Sequence, residues 1–135
     1  MQNICPGFAL PSWIDSIDVE LVTRNKDAVD NMKTDKLRWH GGTKAGTGWM
    51  LIQGCETAQN NLSTLTIPLL VLQGEMDKLV VPEGAQMIID NASSVDKEYV
   101  LYPKAFHQLL IELADVKSNV QKRTLEWLNL RLNKD

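Results

Sequence analysis

The chain has 135 residues, 44% of them hydrophobic and 23% charged, with a formal net charge of −3. That composition is ordinary for one globular domain and argues against a disordered chain. Its 14 Lys and Arg are scattered rather than gathered into the basic face that nucleic acid requires, and no apolar run approaches the roughly 18 residues of a membrane span.

The first 18 residues place Pro6, Gly7 and Pro11 among Phe8, Leu10, Trp13 and Ile14. This reads as an irregular apolar segment that other parts of the fold, a lipid surface or an apolar ligand must cover. It has no basic start and its prolines interrupt the apolar run, so it does not read as a signal peptide. From Asp18 to about Met32 charged and apolar residues mix in a short helical pattern, and residues 34–48 read as a loop with one helical turn. "WMLIQGCETAQNNLSTL" at 49–65 predicts the next helix, with Met50, Cys55 and Ala58 tracing an apolar stripe that Gly54 weakens. Cys5 and Cys55 show neither metal-ligand spacing nor a disulfide frame, which suits a reducing or indifferent compartment.

The second half is more regular. "IPLLVLQG" at 67–74 is continuously apolar up to Gln73 and ends on Gly74, as expected of a strand buried on both faces of a parallel sheet. "PEGAQMIIDNAS" at 82–93 predicts a helix, with Pro82 suited to its first turn and Glu83 to its positive end. "KEYVLY" at 97–102 is a second strand, and a final helix over 116–132 aligns Val116, Val120, Leu128 and Leu132, with Trp127 beside them.

Strand, helix, strand in this order implies a right-handed crossover and a parallel sheet whose ligands gather at the carboxyl ends of the strands. Asp77 follows the end of the first strand and His107 the end of the second. They belong on the same rim, because the helix between them returns the chain to its starting side. A carboxylate bonded to one imidazole nitrogen fixes the tautomer and leaves the other nitrogen to take a proton from a nucleophile. Asp77 would orient and His107 would act as base. The order Asp then His, after an earlier nucleophile, is that of α/β-hydrolases, yet no G-x-S-x-G elbow occurs in the chain. Ser12, Ser16, Ser63, Ser93, Ser94 and Ser118 all lack its flanking glycines. "WHGG" at 39–42 is reminiscent of an oxyanion loop but precedes a helix with no strand before it, and "GGTKAGTG" lacks the ending of a phosphate loop.

With these residues in view, the chain resembles the C-terminal half of the monoacylglycerol lipase family within the α/β-hydrolase superfamily. "LP" at 10–11 and "TRNKDAVD" at 23–30 resemble the family's cap segment, and "TDKL" at 34–37 its cap exit. "LTIPLLVLQGEMDKLV" at 65–80 resembles the strand and acid loop, and "YPKAFHQL" at 102–109 the histidine loop. Two departures stand out. Lys104 occupies a position where the family commonly has glycine, and Leu110 with Ile111 replace polar residues after the histidine.

The resemblance implies an α/β class and a partial α/β-hydrolase fold: a cap segment and its return over 1–48, then helix, strand, helix, strand, helix over 49–135, without the N-terminal half of the sheet. It implies hydrolysis of monoacylglycerols or similar lipid esters to fatty acid and glycerol by a Ser-His-Asp triad, with no metal or organic cofactor. Asp77 and His107 match two triad positions, and Phe8, Leu10, Trp13, Ile14, Trp49 and Met50 would line the way for the acyl chain. A cytoplasmic protein touching membrane through its cap is the expected setting, with no nucleic-acid partner and with self-association through the open strand edge. The competing reading is a catalytically inactive, truncated lipid-binding or interaction protein that kept the cap and part of the sheet.

Overall fold

The structure is a computed structural model that describes residues 17–39 and 41–132. Phe8, Leu10, Trp13 and Ile14 lie outside the described residues, as does His40 of "WHGG".

Among the described residues the sheet has two strands, β1 (Leu69–Gly74) and β2 (Lys97–Tyr102), paired in parallel with Leu69 opposite Lys97 and Gly74 opposite Tyr102. Four α-helices among the described residues accompany it: α1 (Lys26–Thr34), α2 (Ala45–Asn60), α3 (Pro82–Asn91) and α4 (Ala114–Leu132). Helix α3 is the crossover. Pro82 opens it, where a missing N–H costs nothing, and Lys97 Nζ closes it by donating to the carbonyls of Ile89 and Ala92 at 2.5 and 2.7 Å. The cation at the start of β2 thus satisfies the negative end of the helix that leads into it.

Side chains alternate across β2. Val100 and Tyr102 pack with Leu72 against Val116 and Val120 of α4, around a fully buried Ala105 and a buried Leu109. Glu98, on the same face, pairs with Arg123. The intervening residues turn to the face on which α3 packs.

Three expectations change in detail. The segment over 18–32 is not one helix: a 3-10 turn (Val19–Leu21) is followed by a turn and a bend over 22–24, and α1 begins only after an extended Asn25, whose side chain accepts from Ala28 N–H. Helix α2 starts at Ala45, ahead of the expected 49, and none of its residues is buried, so the stripe through Met50, Cys55 and Ala58 packs on nothing among the described residues. In α4 the face turned to the sheet is Val116, Val120, Trp127 and Arg131, the last paired with Asp96 just before β2. At 100° per residue, positions 7 and 11 beyond Val120 return to its azimuth within about 20°, whereas positions 8 and 12 drift by about 80° to 120°. Leu128 and Leu132 therefore stand aside, 42% and 72% exposed.

The strand at 69–74 is also less enclosed than a doubly covered strand would be. Its apolar residues are half-buried, and only Gln73 and Gly74 are buried outright. One edge of β1 pairs with β2, and among the described residues no strand occupies the other. No described helix is long and apolar enough to cross a membrane.

Candidate active site

At Gly74 the chain leaves β1 and folds against the segment after β2. Glu75 N–H donates to Tyr102 O at 3.0 Å, and Met76 N–H to Ala105 O at 2.9 Å. The approach is close enough that a Cβ on Gly74 would stand 2.2 Å from Phe106 O and 2.6 Å from Ala105 O. Glycine is required here by space rather than by backbone angle.

Asp77 then does two things at once. Its Oδ1 accepts the N–H groups of Leu79 and Val80, each at 2.9 Å, which makes the local turn. Its Oδ2 lies 2.9 Å from His107 Nδ1 and accepts from Gln73 Nε2 at 3.0 Å. Gln73 also reaches Val80 O at 3.0 Å, so the last polar side chain of β1 braces the acid loop from inside. The Asp77 side chain is 2% exposed and that of His107 33%, leaving the acid enclosed and the imidazole open to solvent on one side. Burial pushes the Asp77 carboxyl upward, but hydrogen bonds from Val80, His107, Leu79 and Gln73 more than offset it and hold the group below the ordinary carboxylate range.

The histidine loop is pinned on both sides of the ring. Phe106 N–H donates to Glu112 Oε1 at 3.1 Å, and Gln108 N–H donates to Val22 O at 2.8 Å. At the start of this loop Lys104 has φ 62°, the left-handed region, and its N–H donates to Glu75 Oε2 at 2.9 Å. A side chain there costs about 1–2 kcal/mol in backbone strain, partly offset by the greater freedom that glycine has when unfolded. Lys104→Gly is therefore expected to stabilise the fold by about 0.5–1 kcal/mol. The check is a higher urea midpoint with an unchanged slope.

Next to the ring lies an open cavity of about 600 Å³, lined by Ile17, Val19, Val22, Leu79, Val80 and Ile111 and touched by Arg38 and His107. A second opening of about 650 Å³ on the other side of His107 is lined by Leu72, Leu109, Val120 and Leu125. Trp49 and Met50 line neither; both are exposed on α2. The residues that sequence reasoning passed over are Gln73, Gly74 as a contact point, Thr23, Arg24 and Glu112. A lone amide in "LLVLQG" was the one available signal for Gln73. Nothing in the sequence links Arg24 to Glu112 across 88 positions.

Two parallel strands joined by a helix, with an acid after the first meeting a histidine after the second, form the C-terminal part of an α/β-hydrolase. The family model described as Serine aminopeptidase, S33 matches residues 1–114, and the chain belongs to that family. The solved monoacylglycerol lipase of Paleococcus ferrophilus aligns over 93% of this chain and 47% of its own, with a TM-score of 0.83 and 25% identity. The monoglyceride lipase of Rattus norvegicus is 32% identical over 127 residues, 93% of this chain. That of Homo sapiens is 34% identical over 115 residues, 85% of this chain. The chain spans 42% and 38% of the lengths of these two relatives. The likeness to monoacylglycerol lipases read from the residues thus extends to both sequence and fold.

Proposed function

We propose that this chain supplies the acid, the base and part of the cap of a serine ester hydrolase acting on monoacylglycerols. Residues 1–48 would form the cap segment and its return, and 49–135 the core that carries the relay. Asp77 holds the His107 tautomer through Nδ1; the other ring nitrogen takes the proton of a serine hydroxyl as its oxygen attacks the ester carbonyl, then returns it to the departing glycerol oxygen. Water repeats the two steps to free the fatty acid. The apolar cavity beside the ring, with few polar groups, suits an acyl chain rather than a peptide or a sugar. Such a substrate partitions into membranes, so the cap would work at a lipid surface.

The observation that carries this reading is the 2.9 Å contact between a buried Asp77 and a half-open His107. No serine of the chain sits in a nucleophile elbow, so the 135-residue chain by itself is expected to be inert. A fluorophosphonate probe should leave it unlabelled, while the chain joined to a nucleophile-bearing N-terminal half from the same family should label and release fatty acid from a monoacylglycerol. Labelling of the chain alone, abolished by changing one of its own serines to alanine, would refute the assignment. Binding of monoacylglycerol without turnover by the joined protein would favour the inactive lipid-binding alternative.

A further inference from the structure

Glu112 is a charged side chain in a place where charge is costly. It is 1% exposed, and with Thr23 it is the largest fully buried side chain among the described residues. A buried ion pair is a poor source of stability compared with an apolar residue of the same size, so its presence asks what an apolar residue could not do. The hydrogen bonds answer. Glu112 Oε1 accepts from Arg24 N–H at 3.1 Å, Arg24 Nε at 3.2 Å and Phe106 N–H at 3.1 Å; Oε2 accepts from Arg24 Nε at 3.0 Å and Leu113 N–H at 2.9 Å. One carboxylate, with lone pairs for about four donors, ties the stretch before α1, 88 positions away, to the residue before His107 and to the start of α4.

Thr23 completes the tie, its hydroxyl donating to Ile111 O at 3.1 Å, and Val22 O receives the N–H of the residue after His107. The N–H groups of the residues on either side of His107 are thereby anchored to residues 22–24, that of Gln108 directly and that of Phe106 through Glu112. We propose that Glu112, held by Arg24, is a positioning residue for His107: it fixes the loop so that Nδ1 stays on Asp77. The proposal rests on the reading of His107 as the base, and assigns the cap-side segment 22–24 a part in setting the base's direction.

The test reads the ring itself. In 15N-labelled protein the two histidines, His40 and His107, are told apart by a His40→Gln variant, and the imidazole nitrogen shifts at a pH where the ring is neutral report the tautomer. The wild-type chain should show a single Nδ1–H form. In Glu112→Gln the new amide group meets the Arg24 and Leu113 donors with a donor of its own, and the His107 signals should move towards the average of the two tautomers. Arg24→Lys, which keeps the backbone N–H and the positive charge, should move them less. Wild-type ring signals in a folded but less stable Glu112→Gln would mean that Glu112 is only a staple, and would overturn the proposal. Should Glu112→Gln fail to fold, Arg24→Lys decides by the same criterion. Asp77→Asn gives the reference for the opposite tautomer, its amide donating to Nδ1 so that the ring proton rests on Nε2; a wild-type ring indistinguishable from it would show that the Asp77 contact itself is wrong, and Glu112 would then have nothing to position.

Discussion

In the chain joined to a nucleophile-bearing half, Asp77→Asn is expected to lower kcat by about 10⁴-fold while leaving the fold intact, the magnitude found for the equivalent change in a serine protease. The reason is local. Oδ2 accepts from both His107 and Gln73, whereas an amide nitrogen at that position would donate towards each. The imidazole would then be held with its proton on the wrong nitrogen, facing the serine as a donor. Oδ1 would keep its two backbone N–H partners, so the turn survives. His107→Ala should cost at least as much, since it removes the base. Glu75 is a poor control, because it holds Lys104 N–H; Glu56→Gln, exposed on α2, should change kcat by no more than a few fold. Thermal unfolding of each variant separates lost chemistry from lost structure. The same carboxylate has a signature in stability against pH. Its folded pKa lies below the ordinary range, so the stabilisation it gives is full above that range and is lost as pH falls through the depressed value. Asp77→Asn should remove that part of the acid dependence; an equal acid limb in both proteins would contradict it.

Gly74→Ala is expected to be the most damaging small substitution. The added Cβ would collide with the carbonyl oxygens of Phe106 and Ala105, which are backbone atoms and cannot swing aside as a side-chain tip does. Moving them strains the Met76 to Ala105 bond and the Phe106 to Glu112 bond. Overpacking of this kind costs about 3 kcal/mol, and because the displaced atoms adjoin His107, an ångström of movement would lower kcat by about 10²-fold in the joined enzyme. Gly54→Ala is the contrasting case. A Cβ there meets nothing within 4 Å, and alanine in a helix interior gains about 0.5–1 kcal/mol over glycine. Urea unfolding of the two variants gives the comparison; equal midpoints would mean that the histidine loop yields without cost.

What could be read from the sequence was what depends on runs and order. "IPLLVL" and "KEYVLY" announce strands because their composition is uniform over the length of a strand, and the helix between them dictates parallel pairing and a shared rim. That was enough to bring Asp77 and His107 to one edge. The register of a nineteen-residue helix against a sheet is finer information. Leu128 and Leu132 are apolar at plausible spacing, but the true stripe runs through Trp127 and Arg131, and an arginine on the packed face is intelligible only once its partner Asp96 is located. The break before α1 was hidden for a similar reason. Residues 22–24 are withdrawn from the helix by bonds to the histidine loop, and long-range hydrogen bonds leave no periodic trace. Gln73 and Glu112 belong to the same class of residue, polar groups whose burial is sensible only with their partners in view.

The acid and the base are carried by one uninterrupted strand, helix and strand, locked in register from Leu69 opposite Lys97 to Gly74 opposite Tyr102. For assembly of the site this changes the number of things that must be aligned. Three side chains from three independent segments would each have to be fixed in position and direction. Here one contiguous unit already brings two of them to a common rim, and residues 22–24 with Glu112 fix the loop of the second, so a nucleophile has only to be oriented against a finished pair. A serine brought alongside the rim of this sheet would face one rigid body, and the accuracy of the site would be decided at one junction rather than at three.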